Sequence, residues 1–208
     1  MKEIITTIIA LFLSYSLGSI PSGLWLGLWF RGIDIRQHGS KNIGATNTLR
    51  VLGKRMGAIA LGADVLKGVF AVILLSKISL WEYAPLLCGV AAILGHTVSL
   101  FLKFKGGKGV ATSAGVFLTL CPLPTLIAAS VFLLTVLWSR MVSLGSCLSA
   151  VVMTFLVYLL PFEWITAPFD LLPEPWTLRL GVSAITLLIL VRHKENISRI
   201  LHGQENRL

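Results

Sequence analysis

From Ile4 to Phe30 the chain carries no charged side chain. No other feature constrains its fold as tightly, because a run of that length crosses the roughly 30 Å hydrocarbon core of a bilayer, which needs about 20 helical residues. Six further apolar runs follow, at 56–76, 81–102, 110–120, 125–138, 142–160 and 176–191. In lipid, each backbone polar group must find its partner inside the segment, so these runs are expected to be helices. Composition agrees. Hydrophobic residues are 55% of the 208 and charged residues 13%, against about 25% in soluble domains, and the mean hydropathy is +0.85. A soluble fold of this length could not bury so much apolar surface. The expected class is an all-α integral membrane protein with seven transmembrane helices, two of them (110–120 and 125–138) short.

The first run follows Met1-Lys2-Glu3 and lacks the short core and small-residue cut site of a cleavable leader. It reads as a retained first helix, with Trp25 and Trp29 near its end as interfacial anchors. Cys121-Pro122-Leu123-Pro124 separates the two short runs. A single kinked helix there would put the basic tail opposite the other basic loops. With two crossings, Lys2, Lys77 and Arg179 lie on one side together with Glu3, Glu82, Glu163, Asp170 and Glu174. Lys67 falls within a span, and the other fourteen of the 18 lysines and arginines share the second side. The positive-inside tendency makes that side cytoplasmic, with the amino terminus outside and the carboxyl terminus inside. Cys88, Cys121 and Cys147 are scattered in apolar segments and read as packing residues.

Three polar stretches share the cytoplasmic face. In "KFKGGKGVAT" (103–112), glycines let successive backbone N–H groups converge on an anion. Lys105 and Lys108 add charge around Gly106, Gly107 and Gly109, and Thr112 and Ser113 begin the next helix, whose N-terminus also favours an anion. A nucleotide P-loop is excluded, because Leu102 replaces its first glycine and Gly109 its Ser or Thr. In "GSKNIGATNTLR" (39–50), Ser40, Asn42, Thr46, Asn47 and Thr48 surround Gly39 and Gly44, and Arg50 can grip a phosphate through two parallel bonds. In "VRHKENISRI" (191–200), His193 and Asn196 share a helix face. Arg140 and Ser143, at another cytoplasmic turn, are further candidate donors. Asp64 and Lys67 at i,i+3 read as a neutralising pair inside a helix, and His96 as a contact of the loop that follows it. Gly23 and Gly27 read as helix packing, and His38 and His202 have no supporting constellation.

Taken together, "GSKNIGATNTLR", "GHTVSLFLKFKGGKGVAT" and "RHKENISRILHGQE" resemble the bacterial acyl-phosphate-dependent glycerol-3-phosphate acyltransferases, the PlsY family. The resemblance covers essentially the whole chain and implies a single transmembrane acyltransferase domain over 1–208. It implies transfer of a fatty acyl group from acyl phosphate to the 1-hydroxyl of glycerol 3-phosphate, giving lysophosphatidic acid and inorganic phosphate. The implied catalytic residues are His193, Asn196, Lys108 and Arg50. Substrate binding falls to Ser40, Asn42, Gly44, Thr46, Asn47, Lys105, Gly106, Gly107, Gly109 and Thr112, joined by Arg140 and Ser143 from the reading above, with Glu205 supporting structure. Lys41 stands where the family usually has glycine, and Ser99 where proline is common.

Acyl phosphate is already activated, so direct attack needs no acyl-enzyme. The chain has no G-x-S-x-G elbow and no H-x-x-x-x-D sequence. The hydroxyl proton can pass to His193, whose unperturbed pKa is near 6.5, or to a substrate phosphate, whose second pKa is near 6. The expected partners are acyl phosphate, glycerol 3-phosphate and membrane lipids, with no nucleic acid, obligatory protein partner, metal or cofactor. The expected location is the bacterial cytoplasmic (inner) membrane, with the active site facing the cytoplasm. The alternative is a transporter of phosphorylated metabolites, which should show repeated halves and charged or broken helices at mid-membrane.

Overall fold

The computed structural model describes residues 1–166, 171–172 and 174–208, and no strand occurs among them. Asp170, assigned above to the outer side, lies outside the described residues. Two compact units result, Met1–Val116 and Phe117–Leu208.

The first unit opens with α1 (Lys2–Ser19) and α2 (Ser22–Arg31), so the first apolar run is two helices bent by 45°. Pro21 is the cause, since it has no N–H and its ring excludes a straight helix. The Ile20 carbonyl at the break accepts from Lys67 Nζ. That ammonium also lies 2.6 Å from Asp64 Oδ1, so the buried pair is neutralised as expected and also closes a broken backbone. There follow α3 (Ala45–Leu52), α4 (Lys54–Ile73) and α5 (Ala84–Thr97), with short 3-10 turns at Leu75–Ile78 and Leu100–Leu102. α6 (Val110–Leu120) leads into the second unit.

Lipid supplies no hydrophobic drive between helices, so close backbone approach at small residues takes its place. A Cβ on Gly18 would stand 2.0 Å from the Ala92 carbonyl oxygen, and one on Gly95 2.1 Å from that of Tyr15. These glycines therefore let α1 and α5 touch reciprocally. Gly68 and Gly115 do the same for α4 and the start of α6, facing the Thr112 and Val65 carbonyls.

The second unit contains α7 (Pro122–Ser139), α8 (Val142–Leu159), α9 (Phe162–Thr166), α10 (Pro175–Arg192) and α11 (Lys194–Leu201). α8 and α10 are joined by hydroxyls: Thr154 donates to Thr186 Oγ1 at 2.8 Å, and Thr186 to the Ala150 carbonyl at 3.1 Å. α7 leaves Leu133, Leu134, Leu137 and Trp138 exposed, an apolar face suited to lipid and not to water.

Among the described residues, five helical segments are long and apolar enough to cross a membrane, and six if α1 and α2 form one span. α6, at 11 residues, reaches only about 16 Å at 1.5 Å per residue, roughly half the hydrocarbon thickness. α7 is longer than its apolar run suggested, because Pro122 and Pro124 occupy its first turn, where a missing N–H costs nothing.

Candidate anion-binding site

The first polar stretch folds around Asn47, which is 1% exposed on α3. Its Oδ1 accepts the Ser40 N–H at 2.8 Å. Its Nδ2 donates to the carbonyls of Ile35 and Asn42, both at 2.8 Å, and of His38 at 3.2 Å. Asn42 Oδ1 accepts from Gly44 N–H at 2.9 Å, and Thr48 Oγ1 donates to the Gly44 carbonyl. Asn42, Asn47 and Thr48 thus shape the loop from within. Ser40 is exposed, and Thr46 and Arg50 are half-buried. Lys41 has φ +58°, left-handed backbone that favours glycine. The departure from glycine there adds a cation on a strained turn. Gly23 and Gly27 pack on this loop: Cβ atoms there would meet Ile43 O and Ile33 O at 2.5 and 2.6 Å.

The glycine loop belongs to the same unit. Leu102, just before it, packs with Ile35 and with Ile43 of the first stretch in one apolar cluster with Leu24. Trp25 stacks near Trp29 and Phe101, with ring centroids 5.0 and 5.8 Å apart. Lys103 and Phe104 both have positive φ and turn the chain inward. Gly107 and Gly109 are buried, Lys108 is half-buried and Lys105 exposed. Gly107 N–H donates to the His96 carbonyl at 2.9 Å, so the expected contact of His96 with the loop is present. Thr112 and Ser113, 0% and 4% exposed on the first turn of α6, have hydroxyls with no hydrogen-bond partner among the described residues. A buried hydroxyl is rarely left so. Ser99 has φ −69°, a value proline also adopts. Its hydroxyl donates to the Ser19 carbonyl at 2.6 Å.

In the second unit the third stretch is a junction. His193 ends α10 and caps α11, and Asn196 lies in the first turn of α11. His193 is 2% exposed, with Nδ1 2.8 Å from the Ile189 carbonyl. A carbonyl only accepts, so the neutral ring carries its proton on Nδ1 and its lone pair on Nε2. Glu205 collects three donors: Ser143 Oγ at 2.8 Å and Asn196 Nδ2 at 2.7 Å on Oε1, and Arg199 Nε at 2.8 Å on Oε2. Its support of structure is therefore direct. Ser143 and Asn196 spend a donor each on this carboxylate. Arg140 is exposed, with φ +60°, and its carbonyl accepts from Leu208 N–H at 2.8 Å.

The family model described as glycerol-3-phosphate acyltransferase matches residues 8–203. The chain belongs to the glycerol-3-phosphate acyltransferase family. It is 48% identical to a glycerol-3-phosphate acyltransferase of Enterococcus faecalis, over 97% of this chain and 91% of that one. It is 45% identical to one of Fusobacterium nucleatum, over 94% of each. A crystal structure of PlsY, an integral membrane glycerol 3-phosphate acyltransferase in its glycerol 3-phosphate form, is 34% identical with a TM-score of 0.84, covering 97% of this chain and 95% of that one. Its lysophosphatidic acid form gives 33% and 0.82.

The family read from the three motifs holds, and so does the integral membrane class. Within this glycerol-3-phosphate acyltransferase family member, Asn47, which the resemblance implies for substrate binding, engages its amide with Ser40 N–H and the carbonyls of Ile35, His38 and Asn42, and so organises its own loop. Ser113 gains weight from its unpartnered hydroxyl, which no sequence signal distinguishes from that of a capping serine.

Proposed function

We propose that this protein moves a fatty acyl group from acyl phosphate to the 1-hydroxyl of sn-glycerol 3-phosphate, yielding lysophosphatidic acid and inorganic phosphate. Thr112 and Ser113 carry the reading. Two buried hydroxyls without partners among the described residues, at a helix N-terminus that follows a glycine loop with Lys105 and Lys108, fit an anion. The membrane relatives named for glycerol 3-phosphate, one of them in a lysophosphatidic acid form, supply the substrate class.

In this reading the whole chain works as one acyltransferase domain, with seven crossings and its polar stretches on the cytoplasmic face of the bacterial inner membrane. α6 is half a span long, so the loop before it is drawn into the bilayer edge. An acyl phosphate, whose tail gains about 0.8 kcal/mol per buried CH₂, reaches such a loop from the lipid side. We therefore assign the donor phosphate to Gly106, Gly107, Lys108, Gly109 and Thr112, with Lys105 at the rim. Ser40, Thr46 and Arg50 hold the acceptor's phosphate, and Asn42, Gly44 and Asn47 keep their loop in shape; in the second unit Asn196 and Arg140 are the candidate anion donors, and Ser143 holds Glu205. The cations offset the repulsion between two phosphates and hold the reacting atoms in place.

The acceptor's hydroxyl oxygen attacks the acyl carbon, the bond from that carbon to the phosphate oxygen breaks, and the phosphate leaves with the electron pair. Lys108 and the loop N–H groups stabilise that growing charge. The hydroxyl proton goes to Nε2 of His193 or to a phosphate oxygen. His193→Ala separates these: near-complete loss of turnover selects the imidazole, and retained turnover selects the substrate.

The deciding experiment incubates purified protein with glycerol 3-phosphate and either acyl phosphate or acyl-CoA. Lipid product and inorganic phosphate from acyl phosphate alone support the reading. No lipid product, with uptake of glycerol 3-phosphate into sealed vesicles, overturns it in favour of a transporter.

A further inference from the structure

His96 stands near the start of the second motif without one of the implied catalytic or binding roles, yet the glycine loop rests on it. It lies near the end of α5, 5% exposed. Its carbonyl accepts the Gly107 N–H at 2.9 Å. Its Nε2 stands where a Gly107 side chain would have to be, since a Cβ there would lie 2.3 Å away. A Cβ on Gly106 would lie 2.2 Å from the His96 carbonyl oxygen. Backbone and ring of one residue therefore set the height of both glycines.

Behind the ring, Nδ1 is 3.8 Å from Asp64 Oδ1. That distance is too long for a hydrogen bond but short enough for a buried carboxylate to orient the imidazole dipole. The same Oδ1 accepts from Lys67 Nζ, which also donates to the Ile20 carbonyl at the bend in the first span. A line of buried polar groups thus runs from that bend to the underside of the loop. Ionisable residues in a membrane helix are expensive. Asp64 and Lys67 already neutralise one another, so supporting the turn would not by itself require an imidazole.

We propose that His96 is a positioning residue for the phosphorylated donor. Aligned by Asp64, it holds Gly106 and Gly107 against α5, so that the loop N–H groups after Gly107 can converge on phosphate. This rests on the acyl-transfer reading and deepens it. His96 acts through the loop and does not touch the reacting atoms.

The test compares the full-length wild type with His96→Ala, His96→Gln and Asp64→Asn. It measures kcat, KM for acyl phosphate, KM for glycerol 3-phosphate and the unfolding temperature in detergent, and inorganic phosphate binding by calorimetry. His96→Ala should raise KM for acyl phosphate about tenfold, the equivalent of one lost hydrogen bond, and leave KM for glycerol 3-phosphate unchanged. His96→Gln, whose amide reaches towards the Nε2 position, should recover most of the loss, and Asp64→Asn should shift the same KM by less. Equal rises in both KM values overturn the proposal. So does a fall in turnover matched by loss of folded protein with both KM values unchanged. If His96→Ala does not fold, His96→Gln and Asp64→Asn decide: acyl phosphate KM at the wild-type value in both refutes the role. A wild type that never uses acyl phosphate refutes the acyl-transfer reading separately. Inorganic phosphate then still tests the loop, with binding about tenfold weaker in His96→Ala supporting the role and equal binding refuting it.

Discussion

Asn47 answers to four backbone groups between Ile35 and Asn42. Asn47→Ala strips several buried backbone groups of their partner at once and should cost about 2–4 kcal/mol, read as a lower unfolding temperature in detergent together with lost activity. Asn47→Asp should do no better, because it turns a donor into an anionic oxygen facing carbonyls. Lys41 behaves oppositely. Its left-handed backbone costs a non-glycine residue about 1–2 kcal/mol, against about 0.5–1 kcal/mol for the extra entropy glycine loses. Lys41→Gly should therefore raise stability slightly, while removing a cation beside the acceptor's proposed site. Thr112→Val separates ligand from scaffold. The hydroxyl has no partner to lose, so stability should hold. If it meets a phosphate, the acyl phosphate KM should rise about tenfold or more, as expected for a bond to a charged group.

At the scale of elements, the tail after α11 is a latch in the second unit. Burial alone would push the Glu205 carboxyl up, but hydrogen bonds from Asn196, Ser143 and Arg199 outweigh it and hold the group below the usual glutamate range. A carboxyl lowered in the native state stabilises it fully above the unfolded value, about 4.3. That contribution is lost as pH falls through the lowered native value. The acid side of a plot of unfolding temperature against pH should therefore be steeper in the wild type than in Glu205→Gln, which starts lower and lacks this titration. The helices themselves were largely legible, since a membrane span announces itself by an unbroken apolar run. Their interruptions were less so. Pro21 is visible in the sequence, but a proline near the end of a long run is compatible with a kink or a clean break. Lys67, far along the chain, stabilises the break by meeting the carbonyl it frees.

At the scale of the molecule, a net charge of +9 is distributed so that most cations fall on one expected side. Labelling tests the orientation in a background with Cys88, Cys121 and Cys147 replaced by alanine. A cysteine introduced as Lys105→Cys should react with a membrane-impermeant maleimide only in inverted vesicles, and one introduced as Glu82→Cys only in intact cells. Labelling of both from the same side would remove the seven-crossing arrangement and, with it, a cytoplasmic acylation centre.

Residence in the bilayer, the all-helical class and the family could all be read along the chain. Hydropathy adds up residue by residue, and the three motifs are contiguous strings. Which polar side chains remain available for a ligand could not be read that way. Asn47 turned inward to its own loop, Ser143 and Asn196 met Glu205, and Thr112 and Ser113 kept unpartnered hydroxyls. A hydrogen bond depends on a partner within about 3 Å, and folding sets that distance between groups the sequence holds apart.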